Sequence, residues 1–233
     1  RARLAEALFE PLWARYQANR QVSRSTSYLA EAAHFARRSL QNIALSYLML
    51  CNRGEVLAAC VEQFDTADNM TERLAALAVL VNSPAEEAAQ RALAQFAECF
   101  ADNPLVMDQW FSVQAACQRP GALARVQALM NHAAFSLKNP NKVRALIGAF
   151  ANQNLVHFHA ADGAGYRFLA DQVIALNRLN PQIAARQLLP LTRWARYDAP
   201  RQALMRNELL RIRDSGSLSS DVFEVLDKSL RPA

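Results

Sequence analysis

Proline sets the terms for this chain. From Pro84 onward a series of prolines at 104, 120, 140, 181 and 200 is spaced in steps of 20, 16, 20, 41 and 19 residues. Inside a helix proline removes a backbone hydrogen bond, but it suits the first helical turn, so a regular series reads as regular helix starts. The long step is split by Asp162-Gly-Ala-Gly165, a turn cluster able to start the missing helix. A helix thus begins about every twenty residues and a helix pair takes about forty, close to the ~40–47-residue period of armadillo and HEAT-type repeats.

The beat has a local grammar. Asn139-Pro140-Asn-Lys-Val-Arg144 places a capping asparagine, a proline at the first helical position and an arginine one turn in. The same order returns as Asn180-Pro181-Gln-Ile-Ala-Ala-Arg186, and Asn103-Pro104 opens a third helix. Ser83-Pro84-Ala-Glu86 reads as a capping box, and Asn69 with Glu72 as a cap pair. Val106, Trp110, Val113 and Cys117 mark one apolar stripe, and Met205, Leu209 and Ile212 another. Gly216 stands where a helix stop is needed, and Ser219 or Ser220 caps a final helix.

The first seventy residues lack the beat and could pack as a separate layer. Arg1 to about Asn19 reads as an amphipathic helix that Pro11 should kink or break. Gln21–Ser27 is polar and reads as a loop. Glu31–Cys51 carries the strongest periodic pattern, with Leu40, Ile43, Ala44, Tyr47 and Leu48 on one stripe. Gly54–Asp65 gives a shorter helix. A helix of this kind cannot bury its stripe alone, whereas antiparallel pairs stacked side by side bury it in one continuous core. The expected fold is all-α: a superhelix of stacked antiparallel helix pairs of the armadillo/HEAT type, an α-solenoid. Residues 1–233 are read as a single helical-repeat domain.

Composition agrees, since alternating Val, Ile and Thr runs are absent and no sheet is expected. At 233 residues and 52% hydrophobic, the chain can bury a sizeable core. Net charge is +5, and 23 of the 26 basic residues are arginine, yet no run of five like charges occurs. That argues against a nucleic-acid tail. No apolar run is long enough for a bilayer, and no signal peptide is evident. The chain opens Arg-Ala-Arg rather than on methionine, which reads as a processed product or a cut inside a longer protein.

No catalytic constellation is visible. Cys51, Cys60, Cys99 and Cys117 form no Cys-x-x-Cys pair and read as buried free thiols of a reducing compartment. None of His34, His132, His157 and His159 begins a His-Glu-x-x-His zinc helix. His157 and His159 with Asp162 leave two readings. One is a partial metal set; the other, favoured, is a loop in which His159 and Asp162 hydrogen-bond local backbone. Glu86-Glu87 suits a helix start. Arg193, Arg196, Arg201, Arg206, Arg211 and Arg213 read as a solvated face interspersed with Asp198, Glu208 and Asp214.

At Asn139–Phe150 and Phe158-His-Ala-Ala-Asp-Gly-Ala-Gly-Tyr166 the chain resembles the C-terminal helical domain, the fourth, of bacterial aminopeptidase N. Asp68–Leu77, Leu105–Phe111, Asn180–Arg186 and Arg196–Ala199 carry the same resemblance. That family is a gluzincin-class, zinc-dependent alanyl aminopeptidase. The resemblance implies a cytoplasmic enzyme whose zinc helix, glutamate ligand and Gly-x-Met-x-Asn segment lie in another domain. It implies no catalytic residue, metal ligand or cofactor in these 233 residues. It also implies that Arg144 and Arg186 reach into the substrate chamber and bind short peptides. The expected partners are the catalytic and other N-terminal domains of the same chain and short peptide substrates, with no nucleic acid and no membrane. Ordinary surface or interhelical arginines are the plain alternative for that pair. A free-standing α-solenoid scaffold for protein partners is the alternative for the whole chain.

Overall fold

The computed structural model describes residues 1–25 and 28–231. They fall into two compact units, Arg1–Ala101 and Asp102–Ala233. Among the described residues there is no strand, so the all-α expectation holds.

The first unit comprises α1 (Ala2–Ala7), α2 (Phe9–Ser25), α3 (Ala32–Leu48), α4 (Gly54–Thr66), α5 (Met70–Asn82) and α6 (Glu86–Phe100). The helix is interrupted at Leu8, so Pro11 falls in the first turn of α2, where its missing N–H has no intrahelical partner to lose. The expected loop over Gln21–Ser27 is corrected: α2 stays helical to Ser25, and Thr26 and Ser27 lie outside the described residues. Tertiary contact overrides the polar sequence there. Ser23 Oγ donates to Gln41 Oε1 (3.1 Å), and the buried Arg20 reaches Glu72 Oε2 on α5 (3.1 Å).

That ion pair belongs to a polar seam running through the unit. Gln41 donates to Gln63 Oε1 (3.0 Å), and Gln63 donates to Asn42 Oδ1 and to the Glu72 carbonyl (both 3.0 Å). The seam explains a second correction. On α3 the buried face is Arg38, Gln41, Ala44, Leu45 and Leu48, while Leu40 is 45% and Ile43 55% exposed. Binding Gln41 turns the helix one residue away from its most apolar phase. Apolar packing proceeds beside the seam through Val56, Phe64, Leu77, Leu80 and Phe96, all buried.

Asn69 caps α5 as expected, its side chain accepting from the Glu72 N–H (3.0 Å). The Ser83 capping box is corrected. Ser83 Oγ donates back to the Leu80 carbonyl (2.8 Å), so it closes α5, and α6 begins only at Glu86.

The second unit comprises α7 (Pro104–Ala115), α8 (Ala122–Leu129), α9 (Pro140–Val143), a π-helical turn (Arg144–Gly148), α10 (Ala149–Gln153), α11 (Leu155–Phe158), α12 (Ala164–Leu179), α13 (Pro181–Thr192), α14 (Ala199–Arg213) and α15 (Ser220–Leu230). Asn103, Asn139, Asn180, Asp198 and Ser219 each accept a first-turn N–H, so the expected starts are realised. Gly163, at φ 68°, turns the chain into α12. Pro120 breaks the pattern, because Gly121 follows it and α8 starts at Ala122. Pro190, which the beat passes over, lies inside α13.

The stripe Met205, Leu209, Ile212 is fully buried. On α7 the buried set is Met107, Trp110, Phe111, Gln114 and Ala115, with Val106 and Val113 only half-buried. Phe150 packs edge-on against Phe158 (6.0 Å) and Phe168 (5.8 Å). The cysteines are free, but only Cys60 and Cys117 are buried; Cys51 is half-buried and Cys99 exposed, which corrects the expectation for those two. Among the described residues no helix is long and apolar enough to cross a membrane.

Two substitutions test this packing. A Cβ on Gly165 would stand 2.4 Å from the Phe158 carbonyl oxygen, a backbone atom that cannot swing aside. Gly165→Ala should therefore destabilise the fold by about 2 kcal/mol or more in urea titration, despite alanine's better helix propensity. Glu72→Leu strands the Arg20 charge and should cost about 3–5 kcal/mol, whereas Arg20→Met with Glu72→Leu should cost much less.

Candidate guanidinium pair and the aromatic histidine

Arg144 opens the π turn, whose backbone is held from within. Lys142, two residues earlier, is only 5% exposed; its Nζ lies 2.7 Å from Asp108 Oδ1 and donates to the Pro104 carbonyl (2.9 Å). Ser112 Oγ, also on α7, donates to the Ala145 carbonyl inside the turn (3.0 Å). With Lys142 and Val143 facing inward and Ala145 buried behind, Arg144 is exposed. Its Nε donates to the Pro140 carbonyl (3.3 Å), and its Nη2 contacts Asn141 Oδ1.

Arg186 is exposed on α13 between the buried Ala185 and Gln187. Pro190, four residues on, has no N–H to give the Arg186 carbonyl. Both arginines therefore sit at irregular helical turns, one widened and one interrupted. π-Helical turns are concentrated at functional sites. Helix α13 packs on the π turn, with the Gln187 amide against Gly148. This contact comes four residues after Arg144 and one after Arg186. Neither guanidinium forms an ion pair with a carboxylate among the described residues.

A second polar cluster was not visible in the sequence as such. His159 Nδ1 lies 2.8 Å from the Tyr166 hydroxyl and Nε2 3.0 Å from the Tyr197 hydroxyl, with the Tyr197 ring stacked at 4.4 Å. Arg201 Nε donates to the His159 carbonyl (2.9 Å) and its Nη1 pairs with Asp198 (2.6 Å). Burial, then the Arg201 charge, pushes the His159 imidazole below its ordinary value. Burial raises the Tyr166 phenol to about 12.

The favoured loop reading is thus half right. Asp162 Oδ1 accepts the local Ala164 N–H (2.9 Å), while both ring nitrogens of His159 meet tyrosines. His157 Nε2 donates instead to the Gln118 carbonyl (2.9 Å). Among the described residues no group of three or more His, Cys, Asp or Glu side chains could hold a metal ion. The expected arginine face is solvated except at Arg201, which is half-buried. Arg201, Arg211 and Arg213 pair with Asp198, Glu208 and Asp214.

Capped helices that pack chiefly on their sequence neighbours define an all-α repeat protein of the armadillo class. The chain belongs to the family described as "Domain of unknown function (DUF3458_C) ARM repeats", which matches residues 1–231. It is 41% identical over 208 residues to aminopeptidase N of Haemophilus influenzae, covering 89% of this chain and 24% of that protein. Against aminopeptidase N of Escherichia coli it is 40% identical over 232 residues, covering 97% of the chain and 26% of the relative. Among solved structures, aminopeptidase A of Legionella pneumophila, crystallised with aspartic acid, matches 98% of the chain and 27% of its own length. There the TM-score is 0.89 and the identity 33%. The chain spans about a quarter of the length of the curated relatives it matches.

The histidine cluster gives a signed pH dependence. Because the folded imidazole has the lower pKa, the unfolded chain binds the extra proton first as pH falls through about 6.5. Stability should be full above that value and decline below it. Urea midpoints at pH 7.5 and 5.5 should show this decline, and His159→Gln should flatten it.

Proposed function

We propose that this chain, residues 1–233, is the non-catalytic C-terminal helical domain of a cytoplasmic zinc-dependent aminopeptidase. It encloses the substrate chamber, restricts entry to short peptides and contributes Arg144 and Arg186 to peptide binding. Supporting this are the two relatives named aminopeptidase N, of which the chain matches about a quarter. The observation that carries the arginine role is a pair of exposed guanidiniums on packed helices, neither neutralised by a carboxylate. A guanidinium with no carboxylate partner can donate to peptide carbonyls or to a carboxylate, and Arg144 would do so with the N–H groups that Pro140 and Asn141 do not occupy.

The zinc of such an enzyme would activate water and polarise the scissile carbonyl. Among the described residues no group of three or more His, Cys, Asp or Glu side chains fits that ion, and this reading assigns its ligands to a separate catalytic domain. The partners of this domain are then the catalytic and other N-terminal domains of the same chain, and short peptides. Nucleic acid and membrane are not among them.

A free-standing scaffold is the second reading, favoured by the nearest-neighbour stacking that many partner-binding repeats share. A native gene that starts at this segment with its own start codon would select it.

In the full-length enzyme, Arg144→Ala and Arg186→Ala should each lower kcat/KM for a tripeptide by about 10-fold or more, mostly through KM. The isolated 233-residue chain should bind no stoichiometric zinc and release nothing from alanyl substrates. Unchanged tripeptide kinetics in both variants would remove the arginine role, and cleavage by the isolated chain would overturn the domain assignment.

A further inference from the structure

Gln187 is buried to 5% exposure, yet its Oε1 has no hydrogen-bond partner among the described residues. A buried amide oxygen without a donor lowers stability, and an apolar side chain of similar volume would avoid that cost. Its amide lies against Gly148, where a Cβ would stand 3.3 Å from Oε1 and 3.4 Å from Nε2. Gly148 closes the π turn that Arg144 opens, and Gln187 directly follows Arg186. Between them, glycine and glutamine fix how closely the π turn and α13 approach.

We propose that Gln187 is a positioning residue. Its amide, laid on the glycine, sets the distance between the helical turns that carry Arg144 and Arg186, and so lets both guanidiniums engage one short peptide. This inference rests on the arginine role given above. The missing Cβ at Gly148 is part of the same device, since alanine there requires the amide to shift by a few tenths of an ångström. Displacements of that order at a binding group are enough to weaken its hydrogen bonds to substrate.

The test is made in the full-length enzyme with a tripeptide substrate, measuring KM, kcat and the thermal midpoint together. Gln187→Leu should raise KM several-fold, change kcat much less, and leave the thermal midpoint unchanged or higher. Gly148→Ala should also raise KM, but it should add little in a Gln187→Ala background, where the shortened side chain leaves room for the new methyl. A lowered midpoint with KM intact in Gln187→Leu would make the residue merely structural and overturn the proposal. So would fully additive effects of Gly148→Ala and Gln187→Ala. Arg144→Ala and Arg186→Ala, run in parallel, separate the two failures. If they raise KM while the Gln187 and Gly148 variants do not, only the positioning role is lost. If they too leave KM unchanged, the arginine role itself is lost.

Discussion

A helix leaves its first amides without carbonyl partners, and side chains just before the helix must satisfy them. In the second unit Asn103, Asn139, Asn180, Asp198 and Ser219 do so. Each cap fixes not only where a helix begins but which residues face inward, because each residue advances the helix by about 100°. At Asn139 the phase sends Lys142 inward to Asp108 and leaves Arg144 exposed. At Asn180 it buries Ile183, Ala184 and Leu188 and leaves Arg186 exposed. A cap displaced by one residue would rotate a guanidinium toward the core.

The interiors of the two units solve the same packing problem with different polar content. The first carries the Arg20–Glu72 pair and the Gln41–Gln63 ladder through its middle. Such a seam contributes little net stability, since desolvation offsets most of the attraction, but it penalises any helix register that leaves a member unpaired. The second unit also buries a charge pair, Lys142–Asp108, but packs around it with edge-to-face aromatics and holds His159 between two tyrosine hydroxyls. The neutral imidazole, able to donate at one nitrogen and accept at the other, suits that place.

Local signals were legible in the sequence, and long-range ones were not. The helix starts at Pro104, Pro140 and Pro181 could be read because an asparagine cap and its proline are adjacent in the chain. The buried stripe of Met205, Leu209 and Ile212 could be read because Arg206, Glu208, Arg211 and Arg213 interleave with it. On α3 the apolar pattern misled by one residue, because the phase is set by Gln41 binding Gln63 on another helix. Gln21–Ser25 looked like a loop because the partners of Arg20 and Ser23 lie far along the chain. Tyr197 lies 38 residues from His159, and no spacing rule joins them. Periodicity gave no sign of the π turn at Arg144 or of the tolerated Pro190. Arg144 and Arg186 stood out through family resemblance, with the repeated Asn-Pro start as the physical trace.

In the proposed function two guanidiniums, carried on packed helices and paired to no carboxylate among the described residues, hold a peptide that a separate catalytic domain cleaves. A crystal structure of the full-length enzyme with an uncleavable tripeptide tests it most directly. The expected result is peptide carbonyl or carboxylate oxygens about 2.7–3.0 Å from both the Arg144 and the Arg186 guanidinium. A fully ordered peptide that touches neither arginine would contradict it.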